Sequence, residues 1–277
     1  MIAGTLFSII AILLSFISWY DLGLEDLNTR AVILVCTPVA TLLLSAIYIL
    51  FLKKNHIIWE KGSGKIVVCY ADIIKKAFPR KNHKKRIVVI PVNTCFDTIV
   101  DDDIALIDNP LVSPKSLHGQ WVTNLLKAGK KRESLDEDIS SSISRKDNSP
   151  KSEILQKSRG KRICYERGTV VALNGENNVT FWLLALTKFD NKNNAQCSRN
   201  EFIDCIKKLI ECYDTNGQGF EMYVPLMGTS LSRVGLSHSE AVQTIVALFK
   251  LYSEHLHGRV NIVVYNKEKN KVSIFNA

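Results

Sequence analysis

The first 52 residues of this 277-residue chain contain two long runs without a charged residue, at residues 2–20 and 31–52. A helix rises about 1.5 Å per residue, so either run is long enough to cross the hydrocarbon core of a bilayer. The polar segment 21–30 separates the two runs. We therefore predict a transmembrane helical hairpin over residues 1–52 and a two-pass protein of the cell membrane.

The distribution of lysine and arginine predicts the orientation of this hairpin. The connecting segment holds only Arg30 beside three acidic residues, whereas Lys53, Lys54, Lys61 and Lys65 follow the second run. Because basic residues favour the cytoplasmic side, both termini and the C-terminal part are expected in the cytoplasm. A cleaved signal peptide is the alternative for the first run, but no basic segment precedes that run, and the second run would remain as an anchor.

Small residues recur at helical spacing along both runs. Such faces let helices approach closely in lipid, where packing and interhelical hydrogen bonds drive association. They fit either packing of the two spans within one chain or self-association between chains, and we expect membrane lipids and further copies of the chain as partners. The residues are Gly4, Ser8, Ala11, Ser15 and Ser18 in the first run and Thr37, Thr41 and Ser45 in the second.

Beyond the second run, short apolar segments alternate with amphipathic ones. Two capping boxes, Ser198-x-x-Glu201 and Ser237-x-x-Glu240, mark helix starts. This alternation predicts an α/β domain at residues 65–277, with a mixed or parallel sheet sandwiched between helices, after a juxtamembrane linker at 53–64. The strand-like segments are 65–71, 86–92, 169–173, 179–186, 220–225, 261–266 and, as an edge strand, 272–275.

Residues 127–162 differ in composition, because Ser, Lys, Arg, Asp and Glu dominate and large apolar residues are scattered. We predict a polar, flexible surface insertion there. Its basic clusters, like the basic run at 75–86, fit contacts with acidic lipids or nucleic acid. Such runs are more often solvated loops, so no nucleic-acid partner is expected.

The overall composition and net charge limit the class of protein and the kind of ligand. At 46% hydrophobic and 23% charged residues the chain is near the globular average, which excludes a disordered chain and a polytopic channel. Residues 1–52 contribute one arginine and three acids to the net charge of +9, so the remainder carries +11. That excess suits a domain beside an anionic leaflet that admits an anionic ligand. The seven cysteines form no C-x-x-C pair, which indicates neither a disulfide framework nor a metal site.

The strongest candidate binding segment is residues 225–235, between a predicted strand and a capped helix. Ligands of open α/β sheets bind where strands end, so segments of this kind are the places to search. Gly228 and the small hydroxyl residues after it free backbone N–H groups to hold a diphosphate, and Arg233 adds a charged donor. The segment matches neither a Walker loop nor a dinucleotide fingerprint.

Two further strand ends carry polar residues with two possible roles each. Asn93 and Thr94 suit hydrogen bonds to ribose hydroxyls, although Asn93 and Asp97 equally suit a turn. Asp72 suits the exocyclic amine of a base, although it equally suits the N-cap of a helix.

The order of these three segments resembles that of the macro domain, an ADP-ribose-binding module, over residues 66–276. Asp72 and Ile73 resemble its adenine-contacting pair, Asn93 its ribose-side asparagine, 228–233 its diphosphate loop, and Tyr265 the aromatic residue that stacks on adenine. The resemblance implies a ligand-binding set of Asp72, Ile73, Asn93, Thr94, Phe96, Asp97, Met227, Gly228, Thr229, Ser230, Leu231, Ser232, Arg233 and Tyr265.

Residues 116–120 and the predicted hairpin narrow the resemblance to the membrane-anchored macro-domain effectors of type II Thoeris antiphage defence in bacteria. That resemblance implies no metal and no cofactor. It implies a second messenger, histidine-ADP-ribose, made from NAD by a TIR-domain enzyme, and ligand-driven oligomerisation that disrupts the membrane and causes abortive infection by cell death or growth arrest. Because 94–98 replaces the glycine-rich stretch of ADP-ribosyl hydrolases, we expect a non-catalytic receptor. A membrane-tethered ADP-ribosyl hydrolase that uses Asp97 and Asn93 is the alternative.

Overall fold

The computed structural model describes Ser8 and residues 26–52, 54–82, 84–103, 106–145, 152–154, 157–229 and 234–276. The chain forms two compact units, Met1–Asn55 and His56–Ala277, which we treat separately.

The described part of the first unit is one long helix, α1 (Leu27–Leu52). The helix continues through Pro38, and the Thr41 hydroxyl donates to the carbonyl oxygens of Thr37 (3.1 Å) and Pro38 (2.8 Å). Its segment Leu27–Tyr48 is long and apolar enough to cross a membrane, judged by length and composition. This helix contains the second predicted span, whereas the first, at 2–20, lies outside the described residues apart from Ser8.

The small-residue face of α1 is its buried face. Thr41 and Ser45 are 5% and 3% exposed, whereas the leucines at 42, 43 and 44 are each at least 60% exposed. The side chains that this helix buries are therefore small ones, as expected of a helix that packs through a face of small residues.

The second unit is built on an eight-stranded sheet whose order is β1-β2-β10-β9-β3-β7-β6, with β8 paired to β7. The five strands from β2 to β7 in this order are mutually parallel, and β6 and β8 run antiparallel to β7. Strands β4 and β5 form a separate antiparallel ribbon. The strand bounds are β1 Asn55–Lys61, β2 Gly64–Ala71, β3 Arg86–Asn93, β4 Ser152–Ile154, β5 Ile163–Tyr165, β6 Val170–Asn174, β7 Val179–Phe189, β8 Ala195–Gln196, β9 Glu221–Pro225 and β10 Arg259–Tyr265.

Helices cover both faces of the sheet, which gives the three layers that the sequence predicts. Alternate side chains of one strand enter opposite cores: Ile66 and Val68 pack with α5 and α6, whereas Val67 and Cys69 pack with α2, α3 and α4. Both predicted capping boxes are present, at the starts of α5 and α6. The helix bounds are α2 Ile73–Ala77, α3 Leu117–Lys127, α4 Arg132–Ser144, α5 Arg199–Asn216 and α6 His238–Leu251, with 3-10 turns at Ser253–His255, Asn266–Glu268 and Ile274–Asn276.

The predicted edge strand at 272–275 is absent, and a 3-10 turn at Ile274–Asn276 lies there instead. The Tyr70 hydroxyl donates to the carbonyl of Val272 (2.8 Å) and accepts from the Ile274 N–H (3.1 Å). The Tyr70 side chain therefore forms hydrogen bonds to backbone groups that would have paired with a neighbouring strand if this segment were a strand. The sheet edge is occupied by β1, which forms within the segment that we expected to be a linker.

The predicted flexible insertion contains an ordered helix, α4. Leu135, Ile139 and Ile143 are 1%, 2% and 5% exposed and belong to the core beneath the sheet. Their spacing of four residues places them on one stripe of a helix. Residues that looked scattered in a polar composition are therefore a single packing face, and the prediction of a flexible loop is wrong for this part of the segment.

Candidate functional site

A cavity of about 560 Å³ lies at the carboxyl ends of the parallel strands. Parallel strands bring these ends to one edge of a sheet, and each contributes to the wall at or just after its last residue. Asp72 follows β2, Tyr265 ends β10, Gly228 follows β9, Asn93 ends β3, and Thr187 lies near the end of β7. The volume is in the range of small-molecule binding sites.

The cavity brings together half of the predicted binding set: Asp72, Ile73, Asn93, Met227, Gly228, Thr229 and Tyr265. Four residues of the predicted diphosphate loop, Ser230, Leu231, Ser232 and Arg233, lie outside the described residues. Thr94, Phe96 and Asp97 are described but do not line the cavity.

Asn93 combines the two roles that its position suggests. Its side-chain oxygen accepts from the backbone N–H groups of Cys95 (3.0 Å) and Asp97 (3.2 Å), which forms the turn after β3. These bonds fix the orientation of the amide, so Nδ2 is the group left over. Nδ2 is buried and has no partner among the described residues. A buried donor without a partner is costly, which makes this group a candidate for binding a ligand at the cavity wall.

Asp72 likewise caps a helix and lines the cavity. Its Oδ1 accepts from the backbone N–H groups of Ile74 (3.0 Å) and Lys75 (3.4 Å) at the start of α2. Among the described residues, none donates to Oδ2. One carboxylate oxygen is therefore structural, and the other is available to a donor such as an exocyclic amine.

Gly228 lies in the connection between β9 and α6, close after the end of β9. Its φ is +90°, a conformation that L side chains rarely adopt. A Cβ atom there would lie 3.2 Å from the Leu236 side chain and 3.3 Å from the Phe202 ring. Glycine is thus required both by the backbone and by the close approach of the loop to α5.

The structure corrects the expectation for Asp97. Its Oδ2 lies 2.7 Å from Lys157 Nζ, its Oδ1 accepts from the backbone N–H of Lys161 (2.7 Å), and its side chain is 1% exposed. Both oxygens are engaged away from the cavity wall, so Asp97 is not placed to act as the base of a hydrolase.

Neighbouring segments contact Thr94 and Phe96, and neither residue lines the cavity. The backbone of Thr94 pairs with Thr187 on one side (2.8 Å) and Tyr165 on the other (2.9 Å), and Phe96 packs edge-on against the Tyr165 ring. The segment that contains β5 therefore covers the turn after β3. Neither residue is therefore part of the cavity wall, although Thr94 Oγ1 is buried and has no partner among the described residues.

One pair of cysteines is joined, contrary to the expectation from the sequence. Cys95, in the turn after β3, forms a disulfide with Cys164 of β5. The two are 69 residues apart, so their spacing gave no indication of pairing. Burial raises the pKa of the thiols of Cys69 and Cys197 to about 11, which keeps them protonated and unreactive.

Several residues of the cavity wall were not in the predicted binding set. His118 lies at the start of α3 and is 7% exposed; burial, with a smaller contribution from the charge of Lys161, lowers its pKa to about 3, so the imidazole is neutral. Glu268 lies in the turn after β10 and pairs with His238 at the start of α6 (3.0 Å). Asn193 is in the connection from β7 to β8, within an Asn-rich turn that looked like an ordinary loop. The positive φ of Asn193 (58°) is common for asparagine in turns.

The mixed sheet between two helical layers, with a cavity at the carboxyl ends of its strands, defines a macro-domain-like α/β protein. The chain belongs to the Thoeris ThsA macro-domain family, because the family described as "Thoeris protein ThsA, Macro domain" matches residues 66–265.

A Thoeris protein of known sequence agrees with this assignment. The chain is 26% identical over 274 residues to Thoeris protein ThsA of Bacillus amyloliquefaciens (strain Y2), an alignment that covers 94% of this chain and 82% of that protein. Solved structures that it resembles include a macrodomain variant of Oceanobacillus iheyensis with ADPR (TM-score 0.46, 11% identity, 80% of this chain and 94% of that one). The same organism's macrodomain with ADP gives a TM-score of 0.42 at 10% identity, covering 78% and 95%.

Proposed function

We propose that this protein is a Thoeris antiphage-defence effector whose macro-type domain binds an ADP-ribose-derived signal in the cavity. The unpaired Asn93 Nδ2 at the cavity wall is the observation that carries this proposal, because it needs an acceptor that the described protein does not supply. Membership of the ThsA family gives the biological setting.

The wall residues suggest how such a ligand would lie. Asp72 Oδ2 accepts from the adenine amine, and Tyr265, 41% exposed, presents its ring to the base. The backbone at Gly228 and Thr229 holds the diphosphate near the start of α6, where the helix dipole favours negative charge. Asn93 donates to a hydroxyl of the distal ribose.

We further propose that the signal is histidine-ADP-ribose from a TIR enzyme, and that binding favours an oligomer whose two N-terminal spans disrupt the membrane. The small residues along α1 motivate this proposal, because small faces let helices approach closely in lipid. A ligand drives such a change only through its higher affinity for the assembled state. Moving an equilibrium from 1:99 to 99:1 requires about 5.5 kcal/mol of differential affinity.

The first experiment measures binding of ADP-ribose and its histidine conjugate to the full chain in detergent by calorimetry. Asn93→Asp keeps the oxygen that forms the turn and removes the donor, so it should abolish binding. Because the new carboxylate is buried, the variant should also melt at a lower temperature, and binding is therefore measured well below the onset of its unfolding. Asn174→Asp, the same change at an exposed position at the end of β6, is the control. Failure of the wild type to bind either ligand, or unchanged affinity in Asn93→Asp, would refute the proposed site.

The second experiment tests the membrane step in cells that also express the TIR enzyme. Ser45→Leu places a large side chain on the buried face of α1, whereas Ala46→Leu places the same side chain on an exposed one. We expect only the first to prevent growth arrest, with ligand affinity unchanged in both. Growth arrest that persists in Ser45→Leu would exclude this face as the site of association.

A further inference from the structure

We propose that Asn193 determines ligand specificity, because its side-chain oxygen accepts a hydrogen bond from an N–H or O–H group on the part of the ligand beyond the diphosphate. The proposal rests on the proposed function, in which the cavity binds ADP-ribose derivatives. It adds a residue that neither the motifs nor the family resemblance indicated.

The hydrogen bonds of Asn193 leave one atom of its amide unused. Its Nδ2 donates to the Asn109 carbonyl (2.8 Å), and its backbone N–H donates to the Asp190 carbonyl (2.9 Å). The residue is 5% exposed and lines the cavity, and its Oδ1 is buried without a partner among the described residues. Because Nδ2 is committed to a carbonyl, the amide cannot be reversed, and the unused atom is an acceptor.

Apolar side chains line the cavity beside Asn193, together with the polar residues Thr187 and Asn194. Leu111 and Phe189 line the cavity there and belong to one buried cluster. The Leu111 N–H donates to Asp101 (2.7 Å), and Asp101 binds both terminal nitrogens of Arg159 (2.6 Å each). A buried acceptor whose amide is held in place, with apolar side chains beside it, favours a ligand that presents a donor at that point.

The strand order places this wall at the far end of the ligand. The carboxyl ends of the strands lie side by side in the order β2, β10, β9, β3 and β7. The residues at or after these ends lie in the same spatial order: Asp72, Tyr265, Gly228, Asn93 and Asn193. In the proposed function the first four bind adenine, diphosphate and distal ribose in the order in which ADP-ribose connects them. Neighbouring strands lie about 4.8 Å apart, so β7 lies one such step beyond the ribose position at β3. Asn193 follows β7 and therefore faces the end of the distal ribose and any group attached to it.

The test compares ADP, ADP-ribose and the histidine conjugate on the full chain in detergent. Asn193→Gly retains the positive φ at no steric cost and removes the acceptor. We expect the preference for the conjugate over ADP, as a ratio of dissociation constants, to fall roughly tenfold while the affinity for ADP is unchanged. A parallel loss for ADP-ribose places the donor on the ribose, and a loss for the conjugate alone places it on the substituent.

Asn177→Gly is the matched control. Asn177 also has a positive φ (55°) and also holds a neighbouring loop through Nδ2, which donates to the Pro79 carbonyl (2.8 Å), but it is not part of the cavity wall. An unchanged preference in Asn193→Gly, or equal weakening of all three ligands, would overturn the proposal. Wild-type protein that binds none of the three would instead refute the proposed function itself.

Discussion

Replacing Lys157 with methionine should strongly destabilise the domain. Lys157 and Asp97 form a 2.7 Å ion pair with side chains 0% and 1% exposed. Methionine retains the length of the side chain but removes its charge. Among the described residues, the Lys161 N–H (2.7 Å) is then the remaining hydrogen-bond donor to the buried Asp97 carboxylate. The expected effect therefore comes from an uncompensated buried charge and not from lost volume.

Breaking a buried pair by removing one partner costs about 3 to 5 kcal/mol. For a domain of about 200 residues, 1 kcal/mol shifts the melting temperature by roughly 2 to 4 °C, so Lys157→Met should melt about 10 °C below the wild type. Adding Asp97→Asn removes the negative charge and retains an oxygen for the Lys161 N–H. The double variant should thus regain about half of the loss or more.

Thermal denaturation of the full chain in detergent, followed by circular dichroism at a fixed scan rate, measures these differences. Lys130→Met is the control, because Lys130 pairs with Asp138 at 2.6 Å with side chains 36% and 50% exposed. Such a surface pair contributes at most about 1 kcal/mol. If Lys157→Met melted within 2 °C of this control, or if the double variant were no more stable than the single one, the buried-charge argument would fail.

Three further predictions test other parts of the site. Gly228→Glu should abolish binding of ADP-ribose and also lower the melting temperature, since its Cβ meets Leu236 and Phe202 at a φ of +90°; unchanged affinity would refute the loop assignment. The pKa of His118 falls to about 3 on folding, so the neutral imidazole contributes fully to the free energy of unfolding above about pH 6.5, and this contribution is lost as the pH falls towards 3. Between pH 7 and 5, the melting temperature of His118→Gln should therefore fall less than that of the wild type. Equal falls in the two proteins would contradict this prediction. Tyr70→Phe removes two hydrogen bonds to the C-terminal backbone and should cost about 1 to 2 kcal/mol, with faster amide exchange in that segment; unaltered exchange would show that the hydroxyl does not hold it.

Much of the sheet follows from the sequence because its central strands are buried on both faces. A run such as Ile87–Ile90 is apolar at every position, a pattern typical of parallel strands covered by helices. The edge of the sheet that carries the cavity follows from the same reasoning, because Asp72, Asn93 and Gly228 each come after such a run. The sequence pattern of one strand and the loop after it was enough to predict where a residue lies, provided that no other segment determines its position.

Residues whose environment is set by distant segments were misjudged. Asp97 follows Asn93 closely and looked equally able to face a ligand, but it is neutralised by Lys157, 60 residues further along the chain. Lys157 itself belongs to a stretch whose polar composition indicated a solvated loop. No spacing rule connects such pairs, since the contact arises only when β5 pairs its backbone with the turn after β3.

The distribution of charge also changes the interpretation of the basic excess. Among the described residues that line the cavity, Lys115 is the only lysine or arginine, and the acidic residues Asp72 and Glu268 line the same cavity. The net charge of +11 beyond residue 52 is thus not concentrated at the described wall. An anionic diphosphate would have to be stabilised mainly by the backbone N–H groups near Gly228 and by the start of α6, where partial positive charge is fixed by the fold. For the excess of lysine and arginine we propose a separate role, which is attraction to an anionic leaflet if the chain is anchored in a membrane as proposed above.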